Sequence, residues 1–156
     1  MVDFEIRIED HSGEVMSQLD ESIRLGLEAI GLHAENYAKL ILTDAKANGG
    51  IDLTQKGEKD NSRVDTGQLR NSITHRVINT DVYIGTNVPH AVWNEIGTGI
   101  YASQPGGRKS PWVYIDRNGV AHRTRGMQPV HFLLKAASEH TDEYKTLLQH
   151  FCEGGR

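Results

Sequence analysis

Eight histidines are the residues most able to do chemistry here: His11, His33, His75, His90, His122, His131, His140 and His150. Metal or general-base work would require two of them on one helical face at i, i+4, or a histidine beside a cysteine pair. Neither spacing occurs, so surface histidines are expected. Ser72, Ser103, Ser110 and Ser138 lie in no G-x-S-x-G elbow, and the single cysteine, Cys152, stands near the C-terminus, so no nucleophilic site is expected. The glycines Gly85, Gly97, Gly99, Gly106 and Gly107 match neither phosphate-binding pattern, although Arg108-Lys109-Ser110 supplies the basic-hydroxyl ending. Turn glycines are expected, and no catalytic residue, cofactor or metal is called for.

One further grouping could bind rather than catalyse. Within Tyr101–Gln128, Arg108, Lys109, Arg117, Arg123 and Arg125 face only Asp116, and Trp112 and Tyr114 lie among them. Aromatic rings beside arginines can hold a nucleic-acid strand, so a small nucleic-acid-associated module using the basic 108–125 hairpin is one reading. Against it stands the whole chain, with a net charge of −4 and pI near 6.0. Residues 1–60 carry a net −7 and residues 61–156 a net +3, an asymmetry suited to docking of copies, or of neighbours, through opposite signs.

The elements that must position these residues read as follows. Phe4–Glu9 alternates with a period of two and predicts a strand. Ser12 is the expected N-cap of a long helix carrying Met16, Leu19, Ile23, Leu27, Ile30, Ala34, Tyr37 and Ile41 as one stripe up to about Ala47. Such a stripe is either wrapped by the sheet or offered to another subunit. Residues 48–63 and 100–110 are expected to be flexible loops. From Ile73 to Ile84, alternation around Asn79-Thr80-Asp81 predicts a hairpin. A short helix is expected over Pro89–Glu95, stopped by Gly97 and Gly99, whose closeness brings the backbone against its own fold or a neighbour. A second hairpin is expected over residues 111–124, turning at Asn118-Gly119. A last helix with Leu133, Ala137, Tyr144, Leu148 and Phe151 on one face should follow Pro129.

Together these predict a single structural domain over 1–156, of α+β class: an antiparallel sheet with a long N-terminal helix and a C-terminal helix on one face. No apolar run approaches the ~20 residues of a membrane helix, and the start of the chain lacks a signal peptide, so a cytoplasmic product is expected.

The series Val64-Asp65-Thr66-Gly67-Gln68-Leu69-Arg70-Asn71-Ser72-Ile73, then Tyr83-Ile84-Gly85-Thr86-Asn87, then a short aromatic-containing helix ending Glu95-Ile96-Gly97-Thr98-Gly99, then Gly126-Met127-Gln128-Pro129, carries a resemblance. In order and spacing it resembles the HK97 gp10-like family of tailed bacteriophages, small proteins of the neck and tail. The resemblance runs from Val64 to about Ala137. It implies a structural, non-enzymatic virion protein acting in head–tail joining or tail completion. It would assemble with copies of itself into a ring, a hexamer by analogy, and with other phage neck, connector or tail proteins. DNA at most passes through the ring, no membrane is involved, and the location is the host cytoplasm during assembly and then the virion. The expected interface residues are Trp93, Glu95, Ile96, Thr98, Arg108, Arg117, Arg123 and Arg125.

Overall fold

In the computed structural model, the residues described are 10–43, 67–115 and 118–154. The expected strand at Phe4–Glu9, the 48–63 loop and Arg117 lie outside them.

The long stripe does form one helix, α1 (Ser12–Thr43). At ~1.5 Å per residue it runs about 48 Å. Ser12 is not its cap. The His11 carbonyl already accepts the Val15 N–H at 3.1 Å, and the Asp10 carboxylate accepts the Ser12 N–H at 2.9 Å. An acceptor one residue further out therefore satisfies a helix-end donor, as a carboxylate near the positive end of the helix dipole should.

The C-terminal half of α1 builds the core. Ala38, Ile41 and Leu42 pack with Leu69 of α2 (Gln68–Ser72), Ile73, Val88, Ala91 of α3 (Ala91–Ile96), Val130, and Phe132 and Ala136 of α4 (Phe132–Ser138). Phe132, Leu42, Ile73 and Val130 are fully buried, each contributing about 1.5–3 kcal/mol. The N-terminal half is different: residues 10–21 are all exposed, with Met16 and Leu19 of the stripe at 59% and 40% exposure.

The first hairpin, β1 (Thr74–Ile78) and β2 (Asp81–Gly85), turns through Asn79 at φ 55° and Thr80. Its register pairs His75 with Ile84 and Val77 with Val82, and these four are the less exposed positions, on the face laid against α1. The second hairpin is β3 (Trp112–Ile115) and β4 (Ala121–Thr124). The α+β class stands, with a long N-terminal helix, a C-terminal helix and antiparallel strands. The single sheet does not: the two hairpins are separate two-stranded sheets. Each is a sequence-local pair, and the second has no buried face that would fix its edge against the first.

Two helix boundaries differ from expectation. Pro89 and His90 form a turn ahead of α3, with the Val88 carbonyl accepting the Ala91 N–H at 3.0 Å, and Gly97 (φ 74°) ends the helix. The last helix is broken into α4 and α5 (Thr141–Cys152). The Ser138 hydroxyl bonds back to the Leu134 carbonyl, a contact that bends helices, and Thr141-Asp142-Glu143 restarts the spiral with an acidic first turn. Within α4 the buried face is carried by Phe132 and Ala136, while the expected Ala137 is exposed. The break lets α5 return along α1, where Leu148 and Phe151 sit over Gly26: a Cβ there would stand 2.9 Å from Leu148 Cδ1.

Candidate functional site

The two neighbouring glycines expected to approach something closely approach their own fold. Gly97, Gly99 and Gly126 all take positive φ. A Cβ on Gly99 would lie 1.9 Å from the Arg125 carbonyl oxygen, and one on Gly126 would lie 2.1 Å from that of Thr98. The crossing is stitched by three backbone N–H donors: Thr98 to the Met127 carbonyl at 2.8 Å, Ile100 to that of Arg125 at 3.0 Å, and Met127 to Thr98 Oγ1 at 2.9 Å. Only glycine permits backbones this near. This clasp fastens the second hairpin to α3, joining the Glu95–Gly99 and Gly126–Pro129 motifs that lie apart in sequence.

An open groove of about 800 Å³ follows from it, lined by Trp93, Tyr101, Trp112, Tyr114 and Met127, with Thr98, Thr124 and Gln128 among its polar walls. Trp93 is 53% exposed. The hairpin register explains the aromatic lining: Trp112 opposes Thr124 and Tyr114 opposes His122, so these four share one face. The Tyr114 and His122 rings stack at 5.3 Å. Arg108 stands with its guanidinium 5.5 Å from the Trp112 ring centroid, and its Nε donates to Ser110 Oγ at 3.3 Å.

Of the expected interface residues, Trp93, Thr98 and Arg108 therefore meet at this groove. Thr98 also holds the clasp. Glu95 is engaged within the chain: its carboxylate accepts the Leu133 N–H at 2.9 Å and the Leu134 N–H at 3.1 Å, capping α4. Its carbonyl and that of Asn94 take the N–H groups of His131 and Val130. Ile96 is half-buried, and its carbonyl accepts both the Ser103 N–H at 2.8 Å and the Ser103 hydroxyl at 3.0 Å. That contact and a 3-10 turn over Gly99–Tyr101 anchor the start of the expected 100–110 loop. Arg123 opposes Val113, on the face turned away from Trp112 and Tyr114. Arg125 is exposed beside the clasp. Tyr101 and Met127 complete the groove without having been singled out; the signal was a Trp or Tyr recurring between glycine-rich turns.

Three histidines, His75, His33 and His140, meet glutamates around α1. His75 lies flat over Gly31, its Nδ1 2.7 Å from Glu35 Oε2 and its Nε2 3.3 Å from Glu28 Oε2. Lys39 also bonds Glu35. Burial pushes the Glu35 carboxyl up, but the Lys39 and His75 contacts outweigh it and hold it below the usual glutamate range. On the other side of α1, Glu143 accepts the Tyr37 hydroxyl at 2.5 Å and meets His33 Nδ1 at 2.9 Å. The Tyr37 bond chiefly, with His33 and His140, lowers the Glu143 pKa against a desolvation penalty, and the same bond raises that of Tyr37. His140, at the α4–α5 break, stacks on Tyr37 at 3.4 Å. Burial, with the nearby Tyr37 and Glu143, pushes the Tyr144 phenol up to about 12. These groups satisfy one another and tie β1 and α5 to α1. Among the described residues no three His, Cys, Asp or Glu side chains are placed to hold a metal ion, and no helix is long and apolar enough to cross a membrane.

Comparison with known protein families, with curated proteins and with solved structures gives no match for this chain.

Proposed function

We propose that the protein is a non-enzymatic structural component of a tailed bacteriophage or prophage, acting at the neck or tail in head–tail joining or tail completion as a ring of identical copies. The motif series supports the phage assignment, and the clasp gives two of its motifs a shared structural purpose. The observation that carries the assembly reading is a pair of uncovered apolar surfaces of opposite charge. One is the free end of α1, with Val15 and Met16 about 60% and 59% exposed among Asp10, Glu14, Asp20 and Glu21. The other is the groove beside the second hairpin, with Trp93 and Tyr114 at 53% and 49% exposure next to Arg108. Apolar surfaces left open on a small chain mark contacts with partners, and unlike surfaces on one chain give head-to-tail contacts that close into rings. A hexamer around the DNA passage is the arrangement proposed.

Removing the gene from the phage that carries it tests this reading. DNA-filled heads and separate, unjoined or incomplete tails are expected; complete infectious particles would overturn it. The nucleic-acid reading has one observation in its favour, the stacking of Arg108 on Trp112. The register weighs against it, because Arg123 lies on the face away from the aromatic rings.

A further inference from the structure

Given that copies assemble, we infer that the free end of α1 from one copy seats in the aromatic groove of the next. The occupant is set by three features. First, Val15, Met16 and Leu19 fall on one stripe of α1, which continues through half-buried Ile23 into the core. Second, the end of α5, with Phe151 and Gly154, borders α1 beside Ser17, Gln18 and Glu21, while Val15, Met16 and Leu19 keep 60%, 59% and 40% exposure. Among the described residues the stripe therefore stays open. Third, the charges complement: Asp10, Glu14 and Asp20 lie on the same end of α1 as the stripe, while Arg108 and Arg125 stand beside the groove.

The groove suits such a guest. Its rings and Met127 present broad, polarisable surfaces to aliphatic side chains, and its open form admits a helix laid along it with anchors at i and i+4. The contact joins two different patches, so each copy offers a helix end to one neighbour and a groove to the other. An acidic, apolar helix is favoured over a nucleic-acid strand because the chain itself presents such a helix with an open stripe, and Arg123 lies on the hairpin face away from the groove.

Cross-linking tests the pairing in the full chain. In a Cys152→Ser background, Met16→Cys and Gln128→Cys variants are prepared separately, then mixed and oxidised. The mixture should give covalent dimers that neither variant gives alone. Dimers from Met16→Cys alone would mean that helix ends meet each other, and would overturn the seating. A sample assembled by light scattering but not cross-linked in the mixture would overturn the seating and leave the ring intact; a sample monomeric at every concentration would overturn both. In the second arm, Leu19→Glu and Trp112→Ala should each raise the concentration for half-assembly about tenfold or more. Leu19→Glu should keep its melting temperature, since Leu19 is 40% exposed. Quenching of tryptophan fluorescence by oligothymidylate, abolished by Trp112→Ala, would assign the groove to nucleic acid instead.

Discussion

Replacing Gly31 by alanine in α1 sets two opposed effects against each other. In an exposed helix interior this change is stabilising by about 0.8–1 kcal/mol, because glycine loses more backbone freedom on folding. At Gly31 the new Cβ would lie 2.3 Å from His75 Cδ2 and 2.8 Å from Cγ. The ring must move, yet its Nδ1 is 2.7 Å from Glu35 and its Nε2 is 3.3 Å from Glu28. A hydrogen bond to a charged group contributes about 1.5–3 kcal/mol. The Glu28 contact is longer and half-exposed, and adds little. Losing the Glu35 bond against the gain in helix propensity leaves a net destabilisation of about 0.5–2 kcal/mol. In a domain of this size that lowers the melting temperature by roughly 2–8 °C. The assay is urea and thermal unfolding of Gly31→Ala, His75→Ala and the double variant. Gly31→Ala should destabilise the native protein and stabilise the His75→Ala background, where the hollow is empty. Gly13→Ala, with nothing within 4 Å of the added carbon, is the control and should not destabilise. If Gly31→Ala raises the melting temperature with His75 present, the ring does not occupy that hollow.

The clasp, the α4 cap and the tyrosine–carboxylate contacts give further expectations. Gly126→Ala, whose Cβ would stand 2.1 Å from the Thr98 carbonyl oxygen, should detach the second hairpin, seen as loss of Trp112 near-ultraviolet dichroism. Glu95→Ala strips two N–H groups of their acceptor and should cost about 0.5–2 kcal/mol by urea unfolding. Glu35 and Glu143 have folded pKa values below their unfolded ones, so the stability they contribute is present above the ordinary glutamate range and is lost as pH falls through it. The urea midpoint should drop there, and less steeply in Glu143→Gln. Tyr144, raised to about 12, binds its proton more tightly when folded, so its contribution is complete below the ordinary tyrosine value and is lost as pH rises toward 12. Absorbance titration should show a late tyrosinate step, smaller in Tyr144→Phe because Tyr37, also raised, remains.

What the sequence disclosed was local. Asn79-Thr80 announces the first hairpin because a two-residue turn needs backbones that few residues adopt, Asn118-Gly119 marks the second with Gly119 at φ 81°, and the α1 stripe announces a helix because its period is unbroken. The break between α4 and α5 was hidden: the steps from Leu133 to Ala137, Tyr144 and Leu148 fit one continuous helix as well as two. The expected Ser12 cap failed because the helix begins one residue earlier, with the His11 carbonyl taking the Val15 N–H and Asp10 taking that of Ser12. Non-local pairings were out of reach. Nothing near His75 in the chain shows that Gly31 leaves space for its ring, and nothing near His33 or Tyr37 points to Glu143. The glycines at 97 and 99 did signal close approach, but not that Gly126 was the other half of the crossing. Hence Trp93, Trp112 and Tyr114 were visible as residues, while the groove they form with Tyr101 and Met127 was not.

Self-association is the central claim, and static light scattering over a wide concentration series of the purified protein tests it most directly. The account predicts a mass that rises from the 17.4 kDa chain with concentration and levels at a fixed multiple, six for the proposed ring. It also predicts that added salt moves the transition to higher concentration, because the docking surfaces carry opposite charge. A mass that stays at one chain throughout, or climbs without a plateau, would contradict it.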